Sequence, residues 1–413
     1  MTSVCFYFQV HQPYRLNRSI DPMAPPEAAY FDDGLNRLVM ERVAERCYLP
    51  GNAVLLDAIE RSEGRFRCSF SISGTALSQF EAWVPEVLDS FRALFDTGSV
   101  ELLAETSHHS LAALANPAEF RRQVTDHVTD LERLFGVRPT SFRNTELILD
   151  ESMAALVEGM GFTALVGEGA DPLLGWRSAG RVYRPKGCES LALLLRSYGF
   201  SDDIAFRFSN QSWESYPLMA DTFADWLSRV PGDTPFLGLF MDYETFGEHQ
   251  DVDTGIFEFL RALPGYVLEH ANLDFATPAE VAQAHAPVAE LEYPRPISWA
   301  DAERDLSAWL GNEMQRGAFD AIWNLAPLAH AAGGELYQLW RKLTTSDHTY
   351  YMSTKHVHES DGDVHAYFSP YESPHQAFVT AMGAVEDLAG RLKGTGGSSQ
   401  QARHRAIDLE SPD

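Results

Sequence analysis

Short apolar runs alternate with longer amphipathic stretches over the first 285 residues of the chain. Apolar runs bounded by polar or turn-forming residues predict strands, and stretches with apolar residues three or four apart predict helices. The predicted strands are VCFYFQV (4–10), FRCSFSI (66–72), VELLAE (100–105), TSFRN (140–144), TALVGEG (163–169), LALLLRS (191–197), PFLGLFM (235–241) and LDFAT (273–277). This alternation predicts an α/β fold, in which helices cover a mainly parallel sheet.

The pattern changes after about residue 285. EYPRPIS (292–298) is a proline-containing linker, and the segments 302–323 and 325–352 have helical spacing with no strand between them. The end of the chain is small, polar and charged, with too little apolar surface to pack. We therefore predict an α/β domain over residues 1–290, a helical domain over 291–393 and a disordered tail over 394–413.

Polar side chains follow most of the predicted strands at the point where each strand ends. In parallel α/β folds, ligands bind at the carboxyl ends of the strands, so these residues are candidates for a common site. They are His11 and Gln12, Thr106, His108 and His109, Arg143, Asn144 and Glu146, Asp171, Asp202 and Asp203, and Asp242 and Glu244. We expect them to converge on one edge of the sheet.

Each of these residues also has a purely structural interpretation. Asp242 and Glu244 are typical of a solvated strand end, although both would project to the same side if the strand continued through them. Arg143 and Glu146 have a spacing that is typical of a structural ion pair, and His11 is compatible with a buried core histidine. Their shared position after apolar runs favours a functional site.

Overall charge and cysteine use limit the possible partners. The net charge of -27 opposes binding to the phosphate backbone of nucleic acids. The sequence has neither an apolar stretch long enough for a membrane span nor a signal peptide at residues 1–10, so we predict a cytoplasmic protein that does not bind membranes. The four cysteines are isolated from one another and lie in or near apolar runs, which favours buried thiols over disulfides or zinc ligands.

The candidate residues suit two kinds of hydrolysis. Glycoside hydrolysis needs one protonated and one ionised carboxyl group, which acids on two different strands can supply. Metal-assisted hydrolysis needs a cluster of coordinating residues, and the best candidate is HVHESDGDVH (356–365), although its SDGD core is also typical of a turn. No motif of serine hydrolases, P-loop proteins or dinucleotide-binding proteins occurs.

Four motifs together resemble the signature regions of glycoside hydrolase family 57, in its archaeal-type α-amylase branch. They are HQPYR (11–15), SFRNTEL (141–147), FMDYETFGEH (240–249) and SDHTYYMSTK (346–355). The resemblance extends from about residue 4 to residue 385. It implies a distorted (β/α)7 barrel with a C-terminal helical domain. It also implies retaining hydrolysis or transfer at α-1,4-glucosidic bonds without a cofactor or metal.

The resemblance also implies roles for individual residues. Glu146 matches the family's nucleophile, and Asp242 matches its general acid/base. The nucleophile must be ionised, and Arg143 could assist this. The acid must hold a proton, which requires a pKa raised by burial or by nearby carboxylates such as Glu244. The expected substrate contacts are His11, Gln12, His109, Arg143, Glu244, Asp347, His348 and Trp213.

One signature region departs from the family pattern. It usually has a glutamate shortly after its glycine, whereas SGTALSQFEAW (73–83) has Ser78 near that position and Glu81 three residues later.

Three alternative functions stay open at this point. They are a 4-α-glucanotransferase with the same site, a metal-dependent polysaccharide deacetylase, and a non-catalytic glucan-binding protein. The sequence leaves the oligomeric state undetermined.

Overall fold

The computed structural model describes residues 1–21, 23–355 and 369–408, with side chains up to residue 394. It contains two compact units. The first comprises Met1–Gln12, Arg37–His109 and Pro117–Leu306, and the second comprises Pro13–Asn36, Ser110–Asn116 and the chain from Ser307. The main boundary therefore follows Leu306 instead of residue 290, and two short segments from the first third of the chain join the helical unit.

All eight predicted strands are present in the first unit. Two further short strands, β6 and β10, pair with each other. The ten strands are β1 (Thr2–Val10), β2 (Cys68–Ile72), β3 (Val100–Leu102), β4 (Ser141–Arg143), β5 (Ala164–Glu168), β6 (Arg184–Pro185), β7 (Ala192–Arg196), β8 (Phe236–Asp242), β9 (Leu273–Phe275) and β10 (Glu290–Leu291).

Seven strands form a nearly closed parallel barrel. Their order is β3-β2-β1-β8-β7-β5-β4, and β9 pairs with the start of β1. A single parallel bridge between Ala104 and Phe142 joins the two ends of this sheet. The pairing of β7 with β8 is also reduced to one residue pair, Arg196 with Gly238. The prediction of a distorted (β/α)7 barrel is confirmed.

The barrel strands are largely buried because helices cover their outer faces. All residues of β2, β5 and β7 are buried, which is typical of a parallel sheet packed on both sides. Cys5, Tyr7, Val166, Leu194 and Phe240 belong to one core cluster. All four cysteines are buried free thiols, as predicted.

Helices follow most of the barrel strands. Thr277, after β9, caps the helix Pro278–Ala284 through a capping box with Glu280. The α-helices of this unit are Asp33–Val43, which begins in the second unit, Leu49–Arg61, Gly74–Trp83, Pro85–Asp96, Pro117–Phe135, Glu151–Glu158, Asp171–Leu174, Tyr198–Ala205, Ala220–Ser228, Ile256–Glu269 and Pro278–Ala284. A π-helical turn spans Ala44–Tyr48, and 3-10 turns span Thr145–Leu147, Tyr243–Thr245 and Val252–Thr254.

The second unit is helical in its described part. Its α-helices are Pro26–Tyr30, Ala112–Ala115, Ser307–Leu310, Glu313–Asn324, Ala326–Ala332, Gly334–Leu343, Asp347–Tyr350 and Pro374–Asp408. The last helix continues past residue 394, where the composition predicts the disordered tail to begin. Within the described ranges, no helix combines the length and the apolar character that crossing a membrane requires.

Candidate active site

Glu146 lies on a tight turn directly after β4. Its backbone is left-handed, with φ 58° and ψ 26°, and Leu147 follows with φ 49°. Non-glycine residues adopt this conformation only where the surrounding structure enforces it. The side chain of Asn144 donates to the backbone oxygen of Ile148 at 2.8 Å, and Leu149 forms a backbone bridge with Ile297. The turn is therefore held in a strained conformation that keeps the Glu146 side chain about 20% exposed.

His109 connects Glu146 to a second, fully buried carboxylate. Its Nδ1 lies 2.7 Å from Oε2 of Glu105, and its Nε2 lies 3.2 Å from Oε1 of Glu146. Both ring nitrogens face carboxylate oxygens, so both donate and the ring is an imidazolium. Burial opposes that charge, but the hydrogen bond and charge of Glu105 outweigh it and raise the pKa of His109 to about 9.

The same contacts keep Glu146 ionised. Burial would raise the pKa of Glu146, but the hydrogen bond and charge of His109, followed by the charge of Arg143, lower it below the usual range. The indole N–H of Trp299 also donates to Oε2 of Glu146, at 2.8 Å. Glu146 is thus an ionised carboxylate with a separate donor on each oxygen.

Asp242 is the last residue of β8 and has the opposite behaviour. Burial and then the charge of Glu146 raise the pKa of Asp242 to about 6. Its carboxyl group has no hydrogen-bond partner among the residues that the structure describes. The pKa values of these two carboxyl groups are therefore shifted in opposite directions. The shift favours the ionised form of Glu146 and the protonated form of Asp242.

Glu244 does not accompany Asp242 along the strand. β8 ends at Asp242, and the 3-10 turn that follows directs Glu244 to the hydroxyl of Tyr48. Burial and the charge of Asp242 raise the pKa of Glu244 to about 8. Below that pH it carries little charge, so Glu146 instead of Glu244 is the carboxylate that raises the Asp242 pKa. Glu248 accepts a hydrogen bond from Arg42 at 2.6 Å, in agreement with a structural role.

Arg143 lies under the site without reaching its surface. Its side chain is fully buried, and its Nη1 lies 3.9 Å from Oε2 of Glu105, so the ion pair that the sequence suggested with Glu146 forms with Glu105 instead. Its Nε and Nη2 have no hydrogen-bond partner within the described part of the protein. The guanidinium stabilises the ionised form of Glu146 through its charge.

His11 and Gln12 follow β1 on the neighbouring side of the site. The ring of His11 stacks on that of His109, with centroids 3.9 Å apart, and its Nδ1 lies 2.8 Å from the hydroxyl of Ser73. Gln12 is buried, and its backbone oxygen accepts from the side chain of Gln79 at 2.8 Å. His11 therefore lines the site, while Gln12 packs behind it.

The other candidate residues have different surroundings. Trp213 packs edge-to-face on Trp226, at a centroid distance of 6.1 Å. In the second unit, Asp347 begins a short helix and the Nε2 of His348 lies 3.2 Å from the backbone oxygen of Lys342. Their expected part in substrate binding stays a prediction.

The departing signature region provides no carboxylate to the site. Glu81 forms a bidentate ion pair with Arg133, at 2.7 and 3.0 Å, on the outside of the barrel. The hydroxyl of Ser78 donates to the backbone oxygen of Thr75. The histidine-rich segment 356–365 lies outside the described residues, and within those residues no group of three or more His, Cys, Asp or Glu side chains is arranged to hold a metal ion.

Sequence reasoning did not select two residues that contact the Glu146–His109 pair, Glu105 and Trp299. Glu105 ends the predicted strand 100–105, and its position at a strand end was the available signal. Its Oε1 accepts from the side chain of Gln9 at 2.9 Å. Trp299 lies 153 residues from Glu146, directly after the segment 292–298 that was interpreted as a linker, and no local pattern connects the two.

Comparison with known proteins adds to this geometry. The sequence model of Glycosyl hydrolase family 57 matches residues 5–294, which include both carboxyl groups and His109. The chain belongs to glycosyl hydrolase family 57. The enzyme class of this family 57 protein is therefore glycoside hydrolase. Trp299 lies just outside the matched region.

Relatives of this family 57 protein agree in sequence and fold. A curated protein of Methanocaldococcus jannaschii, named "Putative alpha-amylase", is 39% identical over 404 residues, covering 94% of this chain and 85% of the relative. The structure of a family 57 branching enzyme from Pyrococcus horikoshii has a TM-score of 0.69 at 14% identity, over 98% of this chain and 92% of the other. A 4-alpha-glucanotransferase from Thermococcus litoralis has a TM-score of 0.66 at 15% identity; 94% of this chain covers 60% of that protein's length. The structural matches show a common fold.

Proposed function

We propose that this protein is a retaining glycoside hydrolase of the α-amylase type that cleaves α-1,4-glucans. Glu146 would be the nucleophile and Asp242 the general acid/base. The observation that carries the proposal is the opposite displacement of their pKa values, with Glu146 held ionised and the pKa of Asp242 raised to about 6. A retaining glycosidase needs this division of roles.

The proposed reaction has two steps. A carboxylate oxygen of Glu146 attacks the anomeric carbon, the glycosidic C–O bond breaks, and the proton of Asp242 passes to the departing oxygen. Asp242, now ionised, takes a proton from water, whose oxygen attacks the anomeric carbon and releases Glu146. Asp242 begins protonated because burial and the charge of Glu146 disfavour a second negative charge.

His11 and His109 are expected to form one wall of the site. Their rings are stacked, and that of His109 lies directly beside the nucleophile. His109 donates to Glu146, so it orients the nucleophile, whereas His11 is only half-buried and is the candidate for contact with a sugar hydroxyl. We keep Asp347, His348 and Trp213 as proposed substrate contacts on the basis of the family resemblance.

An α-glucan substrate is supported by the names of the relatives. The protein named "Putative alpha-amylase", a 4-alpha-glucanotransferase and a branching enzyme share the family or the fold of this chain. Hydrolysis and transfer use the same glycosyl-enzyme, and they differ in whether water or a sugar hydroxyl accepts the glycosyl group.

Incubation with maltoheptaose tests the proposal. We expect new reducing ends, products that are initially α-anomers by NMR, and turnover lowered by several orders of magnitude in Glu146→Gln and Asp242→Asn. Glu214→Gln, at an exposed position, is the matched control. Near-wild-type turnover in either site variant contradicts the mechanism. Redistributed chain lengths at constant reducing ends would identify a transferase. Acetate released from an acetylated polysaccharide, and abolished by a chelator, would favour the deacetylase.

A further inference from the structure

The loop that precedes the helical unit supplies the second hydrogen-bond donor of Glu146. We propose that Trp299 is a positioning residue that fixes the plane of the Glu146 carboxylate. This inference rests on the proposed function, in which Glu146 must attack as an anion. It concerns a residue outside the region that the family's sequence model matches.

Trp299 holds Glu146 at two points. Its indole Nε1 donates to Oε2 of Glu146 at 2.8 Å, and its backbone N–H donates to the backbone oxygen of Glu146 at 3.3 Å. His109 faces the other carboxylate oxygen, Oε1, at 3.2 Å. A carboxylate with a donor on each oxygen cannot rotate without losing a hydrogen bond. Removing Trp299 Nε1 would therefore leave one oxygen free while the turn stays in place.

Interactions within the loop hold the indole in position. The hydroxyl of Ser298 donates to the backbone oxygen of Asp305 at 2.6 Å. The backbone N–H of Ser298 donates to the backbone oxygen of Arg304 at 3.2 Å. Asp301 and Arg304 have left-handed backbones, with φ of 56° and 50°. Strained backbone of this kind persists only where the surrounding structure stabilises it. The loop is therefore built to hold one conformation.

Two buried arginines lie against the indole ring. The guanidinium carbon of Arg143 is 5.1 Å from the ring centroid, and that of Arg196 is 5.8 Å away, within the range of cation–π contacts. Arg196 is itself fixed, because its Nε donates to the backbone oxygen of Phe240 at 2.7 Å. The ring thus has polar and packing contacts on several sides. Phenylalanine at position 299 would keep an aromatic ring there while losing the N–H and part of the indole's volume.

The two donors on Glu146 differ in their dependence on pH. His109 is a donor at Nε2 only while that nitrogen holds its proton, whereas the indole N–H of Trp299 is neutral and does not titrate. A donor to the ionised carboxylate lowers its pKa. Loss of the Trp299 N–H should therefore raise the pKa of Glu146 and move the acidic limb of kcat/KM to higher pH.

The Trp299→Phe variant tests this directly. We expect kcat/KM on maltoheptaose to fall about 10- to 100-fold, as for loss of a hydrogen bond to a charged group, and the acidic limb to move up by about one pH unit. KM and the unfolding midpoint should change little. Trp176→Phe, whose indole is 93% exposed, is the matched control and should leave the acidic limb in place.

A spectroscopic measurement does not depend on turnover. The chain has eight tryptophans, so ¹⁵N-labelled protein gives eight indole N–H signals, and the one missing in Trp299→Phe belongs to Trp299. That signal should shift with pH as Glu146 titrates and should move in Glu146→Gln. An unmoved signal, or an unmoved acidic limb in Trp299→Phe, overturns the inference. Activity that survives in Glu146→Gln overturns the proposed function instead.

Discussion

Replacing Glu105 by glutamine tests how much the negative charge of Glu105 stabilises the polar network under the site. Glu105 is fully buried between His109, at 2.7 Å, and Arg143, at 3.9 Å. Glutamine has nearly the same shape and can still accept from Gln9, but it carries no negative charge. The variant would leave two buried cations without their shared counter-ion. We therefore expect a large loss of stability.

The size of this loss follows from the shifted pKa values. Contacts with Glu105 and Glu146 raise the pKa of His109 from 6.5 to about 9, which corresponds to about 3 kcal/mol. The pKa of Glu105 falls to about 2 because of the same contact with His109. The pKa shifts of Glu105 and His109 therefore report one interaction and are not added. Removing one partner of a buried ion pair typically costs about 3–5 kcal/mol. We expect Glu105→Gln to lose about 3 kcal/mol of unfolding free energy at pH 7.

The dependence of stability on pH identifies the cause. A group whose pKa is raised on folding contributes stability in full below its unfolded pKa and loses it as pH rises through the folded pKa. The stability that His109 contributes should thus decline between about pH 6.5 and pH 9. In Glu105→Gln the main cause of the raised pKa is absent, so most of this decline should disappear.

Urea denaturation between pH 6 and pH 9.5 measures both effects, through the unfolding free energy obtained by linear extrapolation. Glu81→Gln is the matched control, because it removes the same charge from a half-exposed ion pair with Arg133. Exposed pairs contribute about 0–1 kcal/mol. A loss in Glu105→Gln no larger than in this control, or an unchanged decline above pH 6.5, would refute the reasoning.

Two further predictions concern pH and backbone packing. The pH profile of kcat/KM on maltoheptaose should be bell-shaped. Its basic limb should lie near pH 6, where Asp242 loses its proton, and its acidic limb below pH 4.5, where Glu146 gains one. A basic limb near pH 8 would implicate Glu244 instead. Gly74→Ala should lower the urea midpoint, because a Cβ there would lie 2.5 Å from the backbone oxygen of Ser107. Gly265→Ala, in an open helical position, should raise the free energy of unfolding by about 0.5–1 kcal/mol. Equal effects in the two variants would contradict this account.

Much of the barrel could be predicted because its signals are local. Strands buried on both faces are continuous apolar runs, and this property identified all eight predicted strands. The rule that ligands bind at the carboxyl ends of parallel strands then brought Glu146 and Asp242 into one site, although they are 96 residues apart in the numbering. Strand periodicity and strand-end chemistry were sufficient for these conclusions.

Other features depend on how the chain turns after a strand ends. Glu244 was expected beside Asp242, but β8 stops at Asp242 and the next turn buries Glu244 against Tyr48. The domain boundary differs for a similar reason, since the segment 292–298, whose composition is that of a linker, and the loop that carries Trp299 both belong to the barrel unit. Local composition predicts flexibility or exposure, and only packing decides which neighbours such a segment contacts.

The sequence by itself therefore determined the fold class, the family and the two carboxyl groups, because each of these is encoded in short runs of neighbouring residues. Only the tertiary structure decided their chemistry. Glu146 is ionised because His109, Arg143 and Trp299 converge on it from separate segments, and the raised pKa of Asp242 comes from burial and from that same charge. Electrostatic interactions depend on distance in space and on burial, and neither can be read from positions along the chain.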